Sequence, residues 1–79
     1  MRVDKFLKVS RLIKRRTVAN EACDAGRVSI NGRVVKAGAE VKPGDELCVT
    51  FGERTVRVEV VSTDEHTGKS DAPAMYREL

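Results

Sequence analysis

Between Gly26 and Val28 the hydrophobic period of this chain changes from helical to alternating. That change constrains the fold more than any other feature, because one segment cannot satisfy both periods. Helices must come first and strands after, and the two must bury their apolar faces against each other as an α+β domain. Val3, Phe6, Leu7 and Ser10 stand at i, i+3, i+4 and i+7, which predicts a short first helix over residues 3–10. Asp4 suits its N-cap or first turn, where a carboxylate favours the helix dipole. After the apolar link Leu12-Ile13, the residues Val18, Ala19, Ala22, Cys23 and Ala25 predict a second helix over residues 15–25. Its small side chains allow close helix–helix approach. Gly26 can end it, since glycine takes a positive φ without penalty.

From Val28 the chain reads as strands. Val28 and Ile30 alternate with Ser29, and Asn31-Gly32 is the signature of a two-residue type I′ hairpin returning through Arg33 to Val35. Lys36 to Glu40 connects onward. Lys42-Pro43-Gly44-Asp45 fits a type II turn, with proline second and glycine third. Glu46 to Phe51 and Arg54 to Val61 predict two more strands around Gly52-Glu53, the second with Val56, Val58 and Val60 on one face. Residues 1–61 form the expected domain. Residues 62–79 are expected to be a polar linker and a short terminal helix, with Asp71 as cap and Pro73 in its first turn.

Seventy-nine residues make one domain at most. A core this small leaves no room for a deep catalytic pocket. No His, Cys or Ser has a plausible base near it in sequence, so the chain is expected not to be an enzyme. Cys23, Cys48 and His66 lack metal-ligand spacing, which predicts no metal site and two buried reduced thiols. No apolar run reaches the ~18 residues of a membrane span, and no signal peptide is visible, which predicts a soluble cytoplasmic protein. The tract TGKS ends like a phosphate-binding loop. It has Thr63 where that loop needs its first glycine, so we reject it.

Charge points to a partner. Ten Lys and Arg lie between Arg2 and Lys36, opposed by three acids, whereas residues 37–79 carry five basic and nine acidic residues. A cationic half this dense repels itself and calls for a polyanion, first of all nucleic acid. Lys14, Arg15 and Arg16 crowd the start of the second helix, the wrong end for cations. Bound phosphate would relieve that frustration by sharing helix N–H groups and guanidinium forks. Arg2, Lys5, Lys8, Arg11 and Arg27 join them as candidate RNA-binding residues. Arg33 and Lys36 fit either the same surface or ordinary edge-strand charge. Three aromatic residues are too few for base-stacking platforms, so recognition should rest on phosphates and RNA shape. A protein-interaction adaptor working through Glu53 and Glu59 is the alternative from another class.

The order R-x-D-K-F-L, a basic second helix with R-x-x-A, A-G-R-V-x-I-N-G and K-P-G-D, over residues 2–47, resembles the αL RNA-binding motif of small-subunit ribosomal protein four. KVSRLIKRRT and the late element Ala74-Met75-Tyr76 are similar to its stand-alone bacterial members that act in ribosome-associated quality control. Small heat-shock RNA binders are further relatives. The resemblance implies two packed helices against a small, mostly antiparallel sheet. It implies binding, without cofactor or membrane, to large-subunit ribosomal RNA and peptidyl-tRNA on the ribosome. It also implies a monomer working beside a larger quality-control factor that recruits alanyl-tRNA. A ribosome-assembly or heat-shock rescue factor is the alternative within RNA binding. Arg2 and Arg16 match the family's basic positions most clearly, Arg11 and Arg15 less closely.

Overall fold

The second helix ends where the period changes. In a computed structural model that describes residues 1–63 and 72–79, Gly26 has φ +74°. The Arg27 N–H donates to the Ala22 carbonyl and the Gly26 N–H to that of Cys23, closing a Schellman stop. Ahead of it run α1 (Val3–Val9) and α2 (Arg16–Asp24), each within a residue of its predicted bounds. Behind it come β1 (Val28–Ile30), β2 (Arg33–Val34), β3 (Glu46–Phe51) and β4 (Arg54–Val60). A 3₁₀ turn (Ala72–Met75) then leads into β5 (Tyr76–Glu78). The strands form one antiparallel sheet in the order β2-β1-β3-β4-β5.

Both local turns form as their residues dictate. Asn31 at φ +52° and Gly32 at φ +83° make the β1–β2 hairpin, and Gly44 at φ +95° completes the turn after Pro43. Asn31 also ties the hairpin to β3: its side-chain NH₂ donates to Asp45 and its oxygen accepts the Glu46 N–H at 2.9 Å. Its role is therefore structural.

Register puts Val28, Val49 and Val56 in one row and Ile30, Leu47 and Val58 in the next. This face packs with Val3, Phe6 and Leu7 of α1 and Ala19, Ala22 and Cys23 of α2 in a single core. Ser10 is buried too, as the α1 spacing predicts. Val18 is not: it is 44% exposed, because the buried arc of α2 centres on Ala19, Ala22 and Cys23 and leaves Val18 and Ala25 at its margins. Cys48 also departs from the expected pair of buried thiols. It alternates onto the outer sheet face between Ser29 and Arg57 and is half-buried, whereas Cys23 is fully buried.

The end of the chain differs most from the sequence expectation. No helix runs to Leu79. A short isolated helix gains little by itself, whereas β4 offers an open edge, and Tyr76 to Glu78 pair along it. Met75 is driven into the core, and its carbonyl accepts the N–H groups of Val61 and Ser62. Across the new pair Arg77 donates to Glu59, and Arg57 meets Glu46 at 3.0 Å, so the facing carboxylates Glu46 and Glu59 are each neutralised. The predicted Asp71 cap, the TGKS tract and His66 lie outside the described residues.

The connection after β2 also does more than join strands. The Arg2 and Glu40 backbones form an isolated antiparallel β-bridge, the Val3 N–H donates to the Ala39 carbonyl at 2.7 Å, and the Val41 N–H donates to the Met1 carbonyl. Ala37 and Val41 enter the core. These contacts fix the start of α1 and therefore the site it carries.

Candidate nucleic-acid interface

Asp4, in the first turn of α1, organises the junction of the two helices. It does not cap the helix; Arg2 occupies that position. Three residues before Leu7, it shares the buried arc of α1 and is 1% exposed. Burial of a carboxylate demands partners, and four arrive. The Lys5 N–H donates to Oδ1 at 2.8 Å. Arg2 Nε lies 3.2 Å from Oδ1, and from α2 Arg16 Nε and Asn20 Nδ2 each donate to Oδ2 at 3.4 Å. Arg16 and Asn20 are one turn apart on α2, so both can straddle one carboxylate.

Burial alone would raise the Asp4 carboxyl. The Arg16 hydrogen bond, the Lys5 N–H, the Arg16 charge and Asn20 together outweigh it and hold the group below its ordinary 3.8. A depressed folded value stabilises the protein above the unfolded value, and that contribution disappears as pH falls through the folded one. The urea midpoint should therefore drop below about pH 4, and the Asp4→Asn variant should show a smaller drop. Equal acid sensitivity in the two proteins would contradict this. Cys23, beside the same cluster, is pushed up by burial and by Asp4 and Asp24, which keeps it a thiol without nucleophilic character.

The candidate cations fall into three groups. Arg2 and Arg16 line an open groove of about 480 Å³ together with Asp4, Thr17, Asn20 and Glu21. Lys5 and Lys8 lie one turn apart on α1, and Arg11, Lys14 and Arg15 occupy the connection to α2. Arg11 holds φ +65°, a left-handed conformation that costs an arginine about 1–2 kcal/mol. Arg15 is the N-cap of α2 but makes no side-chain capping bond, and no acid stands in that first turn. Arg27 is apart from these groups. It follows α2, a helix about 14 Å long that begins at Arg16, and its carbonyl accepts the Thr50 N–H.

Sequence reasoning named Arg2 and Arg16 as RNA-binding cations but did not find their tie to Asp4, nor Asp4, Thr17, Asn20 and Glu21 as groove residues. Only Asp4 left a signal, as a carboxylate on an apolar helix face. Among the described residues no group of His, Cys, Asp and Glu could hold a metal ion, and no helix is long and apolar enough to cross a membrane.

Comparison with known proteins agrees with this architecture. The S4 domain family model matches residues 1–47. An RQC P-site tRNA stabilizing factor of Bacillus subtilis is 59% identical over 96% of this chain and 88% of its own length. One of Halalkalibacterium halodurans is 55% identical over 96% and 86%. The trimeric structure of Vibrio cholerae heat shock protein 15 superposes with a TM-score of 0.90 at 26% identity, covering all of this chain and 81% of that one. The motifs of residues 2–47, the two packed helices and the antiparallel sheet thus agree with the matches, and the chain belongs to the S4 domain family.

Proposed function

We propose that this protein is a non-enzymatic RNA-binding factor that steadies peptidyl-tRNA on the large ribosomal subunit during quality control of stalled nascent chains. The observation that carries the reading is the helical layer. Lys8, Arg11, Lys14, Arg15 and Arg16 are exposed along α1, the connection and the uncapped start of α2. Free N–H groups and cations at one helix start suit a phosphate backbone. The names of the Bacillus and Halalkalibacterium relatives support tRNA in the P site as the ligand. On this reading the protein works as a monomer in the cytoplasm, on the ribosome, beside a larger factor that recruits alanyl-tRNA. Arg27, at the far end of α2 from Arg16, makes a separate contact with the RNA on this reading.

Co-sedimentation with large subunits carrying peptidyl-tRNA tests the reading. If about five cations each meet a phosphate, raising salt from about 50 to about 200 mM weakens binding roughly 10²- to 10³-fold. An affinity indifferent to salt would remove the phosphate-based account. A second reading, ribosome assembly or heat-shock rescue, is favoured by the close superposition on the heat shock protein. It requires equal affinity for subunits with and without peptidyl-tRNA, whereas the first requires tighter binding when the tRNA is present.

A further inference from the structure

The groove containing the two best-matched arginines is not a simple phosphate sink. Arg2 and Arg16 contribute two positive charges to its lining, and Asp4 and Glu21 contribute two negative ones. The lining is formally neutral. Asp4 is turned inward and satisfied by Arg2, Arg16 and Asn20. Glu21 is different: it is exposed at the groove and makes no ion pair or side-chain hydrogen bond among the described residues. A carboxylate there repels a passing phosphate even across solvent. It becomes favourable only if the ligand brings a donor.

Every RNA residue carries one such donor irrespective of sequence, the ribose 2′-hydroxyl. We propose that the groove between α1 and α2 reads the ribose of bound RNA, with the Glu21 carboxylate accepting a hydrogen bond from a 2′-hydroxyl. This rests on the RNA-binding reading above and adds to it a means of telling RNA from other polyanions. Thr17, one turn before Glu21 on α2, lines the same groove, and its hydroxyl can both donate and accept. Arg2, Arg16 and Asn20 supply further N–H donors for ribose or phosphate oxygens. A groove of about 480 Å³ lies within the range of small-ligand sites and admits one nucleoside. The division of labour is then spatial. Lys8, Arg11, Lys14, Arg15 and Arg16 supply salt-dependent attraction, and the Glu21 side of the groove supplies recognition that depends little on salt.

The test is fluorescence anisotropy with random-sequence RNA stem-loops and with the same stem-loops in 2′-fluoro form, which keep A-form geometry and phosphates but cannot donate from the sugar. The wild-type protein should prefer the RNA pool. Glu21→Ala should bind RNA about tenfold more weakly, the worth of a hydrogen bond to a charged group, and bind the 2′-fluoro pool unchanged or slightly tighter. Glu21→Gln, which keeps an acceptor oxygen, should recover part of the preference. Glu21 is exposed and alanine favours helix, so the fold survives either change. Equal gains by Glu21→Ala on both pools, or no change on either, would overturn the proposal, since the carboxylate would then be only a repulsive or an idle charge. If the wild-type protein binds neither the stem-loops nor large subunits, the RNA-binding reading itself fails, and the ribose assignment with it.

Discussion

Replacing Lys14 and Arg15 together by glutamate should lower the affinity for large ribosomal subunits by at least about 100-fold at moderate salt while making the protein slightly more stable. The two effects have opposite signs for one reason. Both side chains are exposed and without an ion pair among the described residues, and both stand at the uncapped start of α2. That end of a helix carries partial positive charge, so each glutamate there gains about 0.3–1 kcal/mol where a cation loses it. The ligand sees the reverse. Two phosphate contacts become two repulsions, and the net charge moves from +3 to −1. The slope of log affinity against log salt should flatten by about two phosphates' worth. Thermal unfolding and co-sedimentation of the same preparation check both halves. A variant that binds as well as the wild type would show that phosphate is held elsewhere. A variant that binds weakly because it is unfolded would contradict the dipole argument.

Helix and hairpin positions were legible because their causes are local. The 3.6-residue spacing of Val3, Phe6 and Leu7, Gly26 at a helix end, and Asn31-Gly32 at φ values only such residues favour each act within a few neighbours. What escaped the sequence depends on residues distant in the chain. Tyr76 to Glu78 became a strand because β4, sixteen or more residues earlier, has an edge to pair with. Nothing in AMYREL announces that edge. Cys48 faces outward because of sheet register, which inverts every side chain with a one-residue slip. In the candidate site, the cations were visible as a charge excess. Their division into used and unused was not, since Arg16 and Asn20 reach Asp4 across 12 and 16 residues of sequence. Charge counting gives Arg16 and Arg15 the same weight. The fold commits Arg16 to a buried carboxylate and leaves Arg15 uncommitted.

That commitment predicts a stability loss that a purely RNA-binding role for Arg2 and Arg16 does not. The double variant Arg2→Ala/Arg16→Ala should lose about 2–3 kcal/mol in urea unfolding. Removing the partners of a fully buried charge pair costs about 3–5 kcal/mol, and the loss here falls below that range because the Arg2 and Arg16 side chains are 51% and 47% exposed and Asp4 keeps two other donors. The loss is large against the roughly 4–12 kcal/mol expected for a domain of this length. Asp4 would keep only Asn20 and the Lys5 N–H, and desolvation, now weakly opposed, would raise its carboxyl. The double variant should therefore regain stability at low pH relative to the wild type, reversing the usual sign. Adding Asp4→Asn removes the stranded charge while keeping an acceptor oxygen, so the triple variant should recover most of the stability at neutral pH. It should not recover affinity for large subunits, because the guanidinium groups that face the groove are still missing. If the triple variant binds like the wild type, the arginines serve the fold alone. If the double variant is as stable as the wild type, Asp4 does not depend on them, and the coupling of α1 to α2 through this carboxylate is wrong.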